Sequence, residues 1–387
     1  MLEKYNLKHD LLQKYEKDAK ESFDERFVSR ELILKNASEA ELSEEHKKLI
    51  ADFLDFADYD LKNYIWLYYY IQFKTEETFI DNIWRLDEIP KPREAEEIFP
   101  GCINSVTYLL AAENLREWTE KNNQPPEMMD TYYQKYRNFV NLNMISHKTP
   151  AFCRLSPFLY GYAKPFIIQI GRLVYQLTPF KGYSEMYENK KGERLFVAMP
   201  NFSYNEKGLQ EAEGFTPLYK KDGNTLMGHV FKKDGTLSIE PESIALNEYS
   251  LVYKPGDMMA SIHIPSDGRL TKESVKESIT MAVDIFKKLI YPIKDIVCTT
   301  WFLDPALRGE VIKEGSNLAA FADVFDIICG EDNNNHSIFE HVFKTYRRPL
   351  EELIPENSFQ ERILERAKRG EKIYWSFGVV KKGYLSE

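Results

Sequence analysis

The segment 258–304 constrains the fold more than any other part of the chain. It reads MMASIHIP, SDGR, LTKESVKESITMAVDIFKKLI, a break at Pro292, and then IVCTTWFLD. Val275, Ile279, Ala282, Phe286 and Leu289 recur at alternating steps of four and three, while Lys276, Glu277, Thr280, Asp284, Lys287 and Lys288 fill the opposite side. That spacing predicts an amphipathic helix. The flanking runs are short, apolar and rich in β-branched residues, and a helix between them is the crossover that two parallel neighbouring strands require. A βαβ unit is expected, with its strands in MMASIHIP and IVCTTWFLD.

Such a unit sets the helix N-terminus, near 270–273, beside the carboxyl end of the first strand, where backbone amides without partners bind anions. Gly268 permits close backbone approach, and the guanidinium of Arg269 suits phosphate oxygens. The alternative reading makes Ser266-Asp267-Gly268 a plain turn and Arg269 a solvated charge.

At 387 residues the chain is long enough for two domains. Lys and Arg total 51 against 61 Asp and Glu, a formal charge of −10. That balance argues against nucleic acid or an anionic membrane as a general partner, though a local basic pocket is compatible with it. The opening MLEKYNLKHD is charged throughout and has no secretory character. No uncharged apolar run approaches the length of a bilayer span, so a soluble, cytoplasmic protein is expected. Cys102, Cys153, Cys298 and Cys329 lack metal or redox spacing and are expected as reduced thiols.

From the N-terminus to about 150 the periodic segments are helical. Ser43 opens a helix with Leu49, Phe53 and Phe56 on one side, and 58–60 break and recap the chain before LKNYIWLYYYIQF at 61–73. A helix apolar on every face is usually buried on every face, so Tyr64, Trp66, Tyr68, Tyr69 and Tyr70 read as core in preference to a stacking platform for a ring-shaped ligand. Thr75, Glu76 and Glu77 look like another helix start, leading to Phe79, Ile80, Ile83 and Trp84. Helices near 103–121 and 128–145 follow.

After about 165 the period changes. Strands are expected at 166–170, 172–177, 194–199, 227–232, 243–245 and 249–253, with Gly171 as a bulge or close approach, and turn signals such as Lys190-Lys191-Gly192 between them. Pro305 is expected to start a short helix through Ile312, and 317–328 to be extended. Helices near 337–345 and 357–368 and a last strand at 373–380 close the chain. The expected fold is α+β: a helical domain over 1–160, then a mixed sheet with flanking helices over 161–387.

The runs Gly171-Arg172-Leu173, His263-Ile264-Pro265, Trp301-Phe302-Leu303-Asp304-Pro305, Ser316-Asn317 and Ile354-Pro355-Glu356-Asn357-Ser358-Phe359-Gln360 resemble the bacterial acyltransferase domain-containing proteins. These join a helical N-acyltransferase N-terminal domain to a GNAT-like C-terminal domain. The resemblance implies acyl-CoA (acetyl-CoA or a longer ester) as co-substrate and a small-molecule or peptide amine as acceptor. Pantetheine would enter between two splayed parallel strands, and the pyrophosphate would rest on the loop after the first. Carried over, that site comprises Ile264, Ser266, Gly268, Arg269, Leu270 and Thr271. The usual glycine-rich phosphate signature is absent, and 265–270 offers a single glycine. A non-catalytic GNAT-like binding or scaffolding protein is therefore the second reading.

His263 alternates with Met259 and Ser261 on the more polar strand face, where an imidazole can take a proton from an attacking amine; the other reading is a histidine fixed by backbone hydrogen bonds. Asp304, at the end of the second strand, reads as a base or amine-binding group, or as the cap that Asp before Pro commonly provides. Ser316, Asn317 and Tyr346 offer hydroxyl and amide groups for a departing thiolate or the pantetheine amides. Cys298 reads as a nucleophile or as ordinary packing. Arg347-Arg348 reads as a site for a 3′-phosphate or as solvated charge. His336 and His341, with Glu340 between, fall on different helix faces, so no metal is expected.

Overall fold

The structure is a computed structural model that describes residues 2–75, 88–124, 127–149, 151–152, 157–164, 166–233, 235–265, 268–287, 293–332, 336–343 and 349–385. The expected helix from Glu76 to Trp84, and Cys153, Ser266, Asp267, Pro292, Tyr346, Arg347 and Arg348, lie outside the described residues. The chain divides into two compact units, Met1–Gln169 and Ile170–Glu387.

The first unit is helical, with helices Asp10–Ser22, Arg30–Glu39, Glu44–Phe56, Tyr59–Phe73, Arg93–Ile98, Cys102–Lys121, Glu127–His147 and Pro157–Ala163. Side-chain caps start them where the sequence allows: the Ser43 hydroxyl accepts from the His46 amide, and the Asp58 carboxylate accepts from the Leu61 amide at 2.9 Å. The buried stripe of Glu44–Phe56 is rotated from expectation. It runs through His46, Ile50, Phe53 and Leu54, while Leu49 is half-buried and Phe56 exposed. Helix Tyr59–Phe73 is largely buried from Leu61 onward, with Lys62 and Tyr70 half-buried and Tyr59 exposed, and its buried tyrosines find partners in the core: Tyr68 donates to Asn104 Oδ1 at 3.1 Å and Tyr64 to the Pro90 carbonyl at 2.9 Å. The aromatic run is core.

The strands are β1 (Ile167–Ile170), β2 (Leu173–Pro179), β3 (Ser184–Asn189), β4 (Arg194–Ala198), β5 (Tyr219–Asp222), β6 (Thr225–Gly228), β7 (Val230–Phe231), β8 (Glu242–Ala245), β9 (Tyr249–Tyr253), β10 (Met258–His263), β11 (Ile296–Thr300), β12 (Phe325–Asp332) and β13 (Tyr374–Val380). They form a six-stranded sheet in the order β1-β2-β10-β11-β13-β12, a four-stranded sheet β7-β4-β3-β9 and a three-stranded sheet β5-β6-β8. The antiparallel segments thus build separate sheets in place of the one mixed sheet expected, and β3 and β5 are strands that the sequence reading missed. Strand β11 stops at Thr300, and Trp301–Leu303 and Pro305–Leu307 are single 3-10 turns. Residues 317–328 are not all extended: Asn317–Ala322 is a helix capped by Ser316, and β12 follows.

The expected crossover is present. Helix Lys272–Phe286 joins β10 to β11, which run parallel. The helix buries Val275, Ser278, Ile279, Ala282 and Phe286; Phe286 meets the Tyr175 ring edge-on, with 5.5 Å between centroids. Each such apolar side chain contributes roughly 1.5–3 kcal/mol on burial. The Ser278 hydroxyl donates to the Ile170 carbonyl and accepts from the Leu173 amide, holding both sides of the β1–β2 turn. On the other sheet face Met259, Val297, Phe377 and Val379 share one core with Met186, Phe196 and Tyr253 from the four-stranded sheet.

Asp295, just ahead of β11, is buried at 6% exposure, with Arg194 3.4 Å away and the Ile296 amide donating to its Oδ1 at 2.8 Å. Burial outweighs the guanidinium and pushes its pKa up to about 7. The folded state therefore holds a proton that the unfolded chain, with a carboxyl near about 3.9, releases. This contribution is intact below that value and is lost as pH rises through 7. Asp295→Asn mimics the protonated carboxyl. In urea denaturation it is expected to stabilise the protein by roughly 1–3 kcal/mol at pH 8, with no gain at pH 4; an equal effect at both pH values would contradict the assignment.

Candidate functional site

The parallel contact between β10 and β11 is short. Ala260 faces Ile296 and Ser261 faces Val297, and no further register positions follow. Both strands nevertheless continue on their outer sides: β10 stays paired with β2 as far as His263 opposite Val174, and β11 with β13 as far as Thr300 opposite Ser376. The inner edges therefore part at their carboxyl ends, leaving a wedge bounded by Ile262 and His263 on one side and by Cys298, Thr299 and Thr300 on the other. Backbone groups along such an opening are available to an extended ligand with amides of its own.

Cys298 sits in the throat of this wedge, and its thiol donates to the Ile262 carbonyl at 3.5 Å. The thiol is buried, which pushes its pKa well up.

On the face away from the crossover helix, Gln176, Ser261, His263 and Thr299 are half-buried. Strand alternation puts Gln176, opposite Ser261, diagonally beside His263. His263 Nε2 lies 2.7 Å from Gln176 Oε1. Burial lowers the imidazole pKa to about 4, so the ring is neutral at neutral pH.

The chain after β10 is held by a residue that sequence reasoning did not place in the site. Arg172 donates from Nη2 to the carbonyls of Pro265 at 2.9 Å and Gly268 at 3.0 Å, and from Nε to that of Arg269 at 3.1 Å. Arg172 stands in the two-residue turn between β1 and β2, behind Gly171 at φ +55°, a conformation that favours glycine. Gly171 is thus a turn residue rather than a bulge, and the close approach expected of it is to Ser278, whose Cβ would lie 3.4 Å from an added Cβ. Gly268 also has positive φ, at +75°.

Ile264 is half-buried, Arg269 is exposed and Leu270 buried. Thr271 caps the helix in a reciprocal box: its hydroxyl accepts from the Ser274 amide at 3.2 Å, and its own amide donates to the Ser274 hydroxyl at 3.1 Å. Its polar groups are committed, so the first-turn amides left toward an anion are those of Lys272 and Glu273.

The remaining candidates lie further along the chain in structural roles. Asp304 is 2% exposed; its Oδ1 accepts from the Ala306 amide and its Oδ2 from the Tyr374 amide, each at 2.9 Å. It joins the turn after β11 to the start of β13, and burial raises its pKa. The Ser316 hydroxyl accepts from the Ala319 amide at 3.2 Å, and Asn317 is the first residue of the helix so capped. Among the described residues no three His, Cys, Asp or Glu side chains gather as metal ligands. No described helix is long and apolar enough to cross a membrane.

The family model of the GNAT-like C-terminal domain matches residues 167–380. The chain is similar to the solved structure of an acyltransferase in complex with decanoyl-CoA and teicoplanin, with a TM-score of 0.52. It is also similar to that of an acyltransferase in complex with CoA and 10C-teicoplanin, with a TM-score of 0.53. Each is 15% identical, and each alignment covers 89% of this chain and 86% of that one. At this identity the likeness establishes a shared fold. No curated protein matches the chain.

Arg172→Ala removes three hydrogen bonds from a charged donor and is expected to destabilise the protein by about 1–3 kcal/mol in urea denaturation. Amide hydrogen exchange at residues 268–271 should accelerate with it. Unchanged exchange there would show that the guanidinium does not order this loop.

Proposed function

Because the chain belongs to the family of proteins with a GNAT-like C-terminal domain, we propose that it transfers an acyl group from acyl-CoA to the amine of a small molecule or peptide. The observation that carries this reading is the parting of β10 from β11 after two register positions. The residues present fit the co-substrate: the wedge offers backbone amides and carbonyls to the pantetheine amides, and the exposed Arg269 with the Lys272 and Glu273 amides meets its phosphates. When bound, the thioester supplies an activated acyl carbonyl. His263 would take the proton that the acceptor amine sheds as its nitrogen bonds to that carbon; as the C–S bond breaks the departing thiolate would receive that proton from the imidazolium and leave as the thiol. Asp304 ties the turn after β11 to the start of β13, and Ser316 caps the helix Asn317–Ala322.

Titration calorimetry and thermal unfolding with CoA, acetyl-CoA, octanoyl-CoA and decanoyl-CoA test the reading. Binding is expected to raise the melting temperature by mass action. Arg269→Glu is expected to weaken binding about tenfold. His263→Ala should leave binding intact while lowering acyl transfer by about 100-fold or more. Silence with every ester would refute the transferase reading and favour a non-catalytic GNAT-like binding module, for which the single glycine of 265–270 is the supporting feature.

A further inference from the structure

We propose that Glu331, with Tyr183 and Trp375, forms a cation subsite at the far end of a strip of half-buried side chains that starts at the wedge, and that the acceptor carries a second positively charged group besides the amine that is acylated. The inference rests on the transferase reading for the acylated amine, whereas affinity for a cation is a property of the free protein.

The register of the six-stranded sheet places the strip on one face. Thr299 lies opposite Phe377 and Phe377 opposite Cys329; one pleat repeat further, Trp375 lies opposite Glu331. Alternation sets Thr299, Trp375 and Glu331 on the face that carries His263. Behind this strip the face is sealed, because Met259, Val297, Phe377, Val379 and Cys329 are buried in the core shared with the four-stranded sheet. His263, Thr299, Trp375 and Glu331 are half-buried, so the cover ends along them. β13 alone separates β11 from β12, which puts Glu331 roughly 10–12 Å from the mouth of the wedge by strand spacing.

Glu331 is a carboxylate without a counter-ion. Tyr183 donates to its Oε2 at 2.9 Å, and burial keeps that phenol protonated. Among the described residues no basic side chain pairs with it. Its neighbours in the same unit differ: half-buried Glu188 meets Arg194 and Lys382, and buried Glu185 meets Lys221. A carboxylate accepts from several donors, so one phenol leaves most of that capacity to a ligand. Tyr183 is fixed by the rings of Phe202 and Phe377, with 5.3 Å and 5.4 Å between centroids, and so holds the carboxylate in place. Trp375, the cross-strand partner, adds an aromatic surface beside it. A partly desolvated carboxylate next to an aromatic ring suits an ammonium or guanidinium and offers a neutral group no comparable gain.

The test compares 1,8-diaminooctane with octylamine on the full chain, two probes that differ only in the second amine. In calorimetry without acyl-CoA the diamine should bind at least about tenfold tighter than octylamine. Glu331→Gln, close in shape but uncharged, should erase that preference. Glu331→Lys should reverse it, and Glu331→Asp, which keeps the charge, should retain it, an outcome that a merely structural role for the side chain would not predict. In acyl transfer from acetyl-CoA or decanoyl-CoA, the advantage of the diamine in kcat/KM should fall about tenfold in Glu331→Gln, through KM. Equal affinity of the two amines for the wild type, or a preference that survives in a folded Glu331→Gln protein, overturns the proposal. Glu331-dependent binding of the diamine by a protein that turns over no acyl-CoA supports the subsite and refutes the transferase reading instead.

Discussion

Everything that gives this fold a site follows from where one hydrogen-bond ladder stops. β10 and β11 are joined at Ala260–Ile296 and Ser261–Val297, a contact begun by the Ala260 amide donating to the Asp295 carbonyl at 3.1 Å. Beyond it the peptide groups on the inner edges need partners, because buried backbone amides and carbonyls are rarely left without them. The opening persists because the two strands are secured elsewhere. β2 holds one and β13 the other, and Cys298 at the throat meets the Ile262 carbonyl. A sheet that loses a rung in its middle without losing its outer strands is a rigid frame with a polar slot in it. Rigidity of this kind holds the side chains along the two strands in fixed relative positions.

Much of this was legible in the sequence where a single local force decides. The helix 272–286 has an apolar stripe and a capping pair, and the β-branched runs on either side leave a parallel crossover as the economical arrangement. Ser43, Asp58 and Asn357 likewise mark helix starts through their own side chains. Legibility fails where the deciding partner is distant. SEMYEN at 184–189 carries charged residues at positions that a half-buried strand would fill with apolar ones. It forms β3 because the Glu185 carboxylate is met by the hydroxyls of Tyr187 and Tyr219 and by Lys221 at 3.2 Å. The apolar stretch after Ser316 suits helix and strand equally, and the cap settles its first six residues as helix.

The same distinction separates the candidate residues. Asp304 before a proline could be read as a cap from sequence, and so it is; the amide of Tyr374 on its second oxygen adds a long-range tie that no local pattern encodes. Arg172 and Gln176 carry no signal at all in isolation. Their partners lie close to ninety residues downstream, and only the pairing of β2 with β10 brings them near. The histidine was visible as a candidate, while the glutamine 2.7 Å from its ring and the arginine that holds the following loop became visible only as geometry.

The Arg172 contacts have an evolutionary and engineering corollary. Two-residue hairpin turns at a sheet's edge are ordinarily where a chain best tolerates insertions, nicks and new termini. Here the turn after β1 also supplies the guanidinium that gathers the carbonyls of Pro265, Gly268 and Arg269. Lengthening it by even one residue would carry that charge away from the loop. A locus that looks disposable from the periphery is thus tied to the loop that follows β10. Tags, fusion joints and permuted ends are better placed at the 190–192 turn, whose hairpin is closed by the Gly192 amide donating to the Asn189 carbonyl at 2.9 Å.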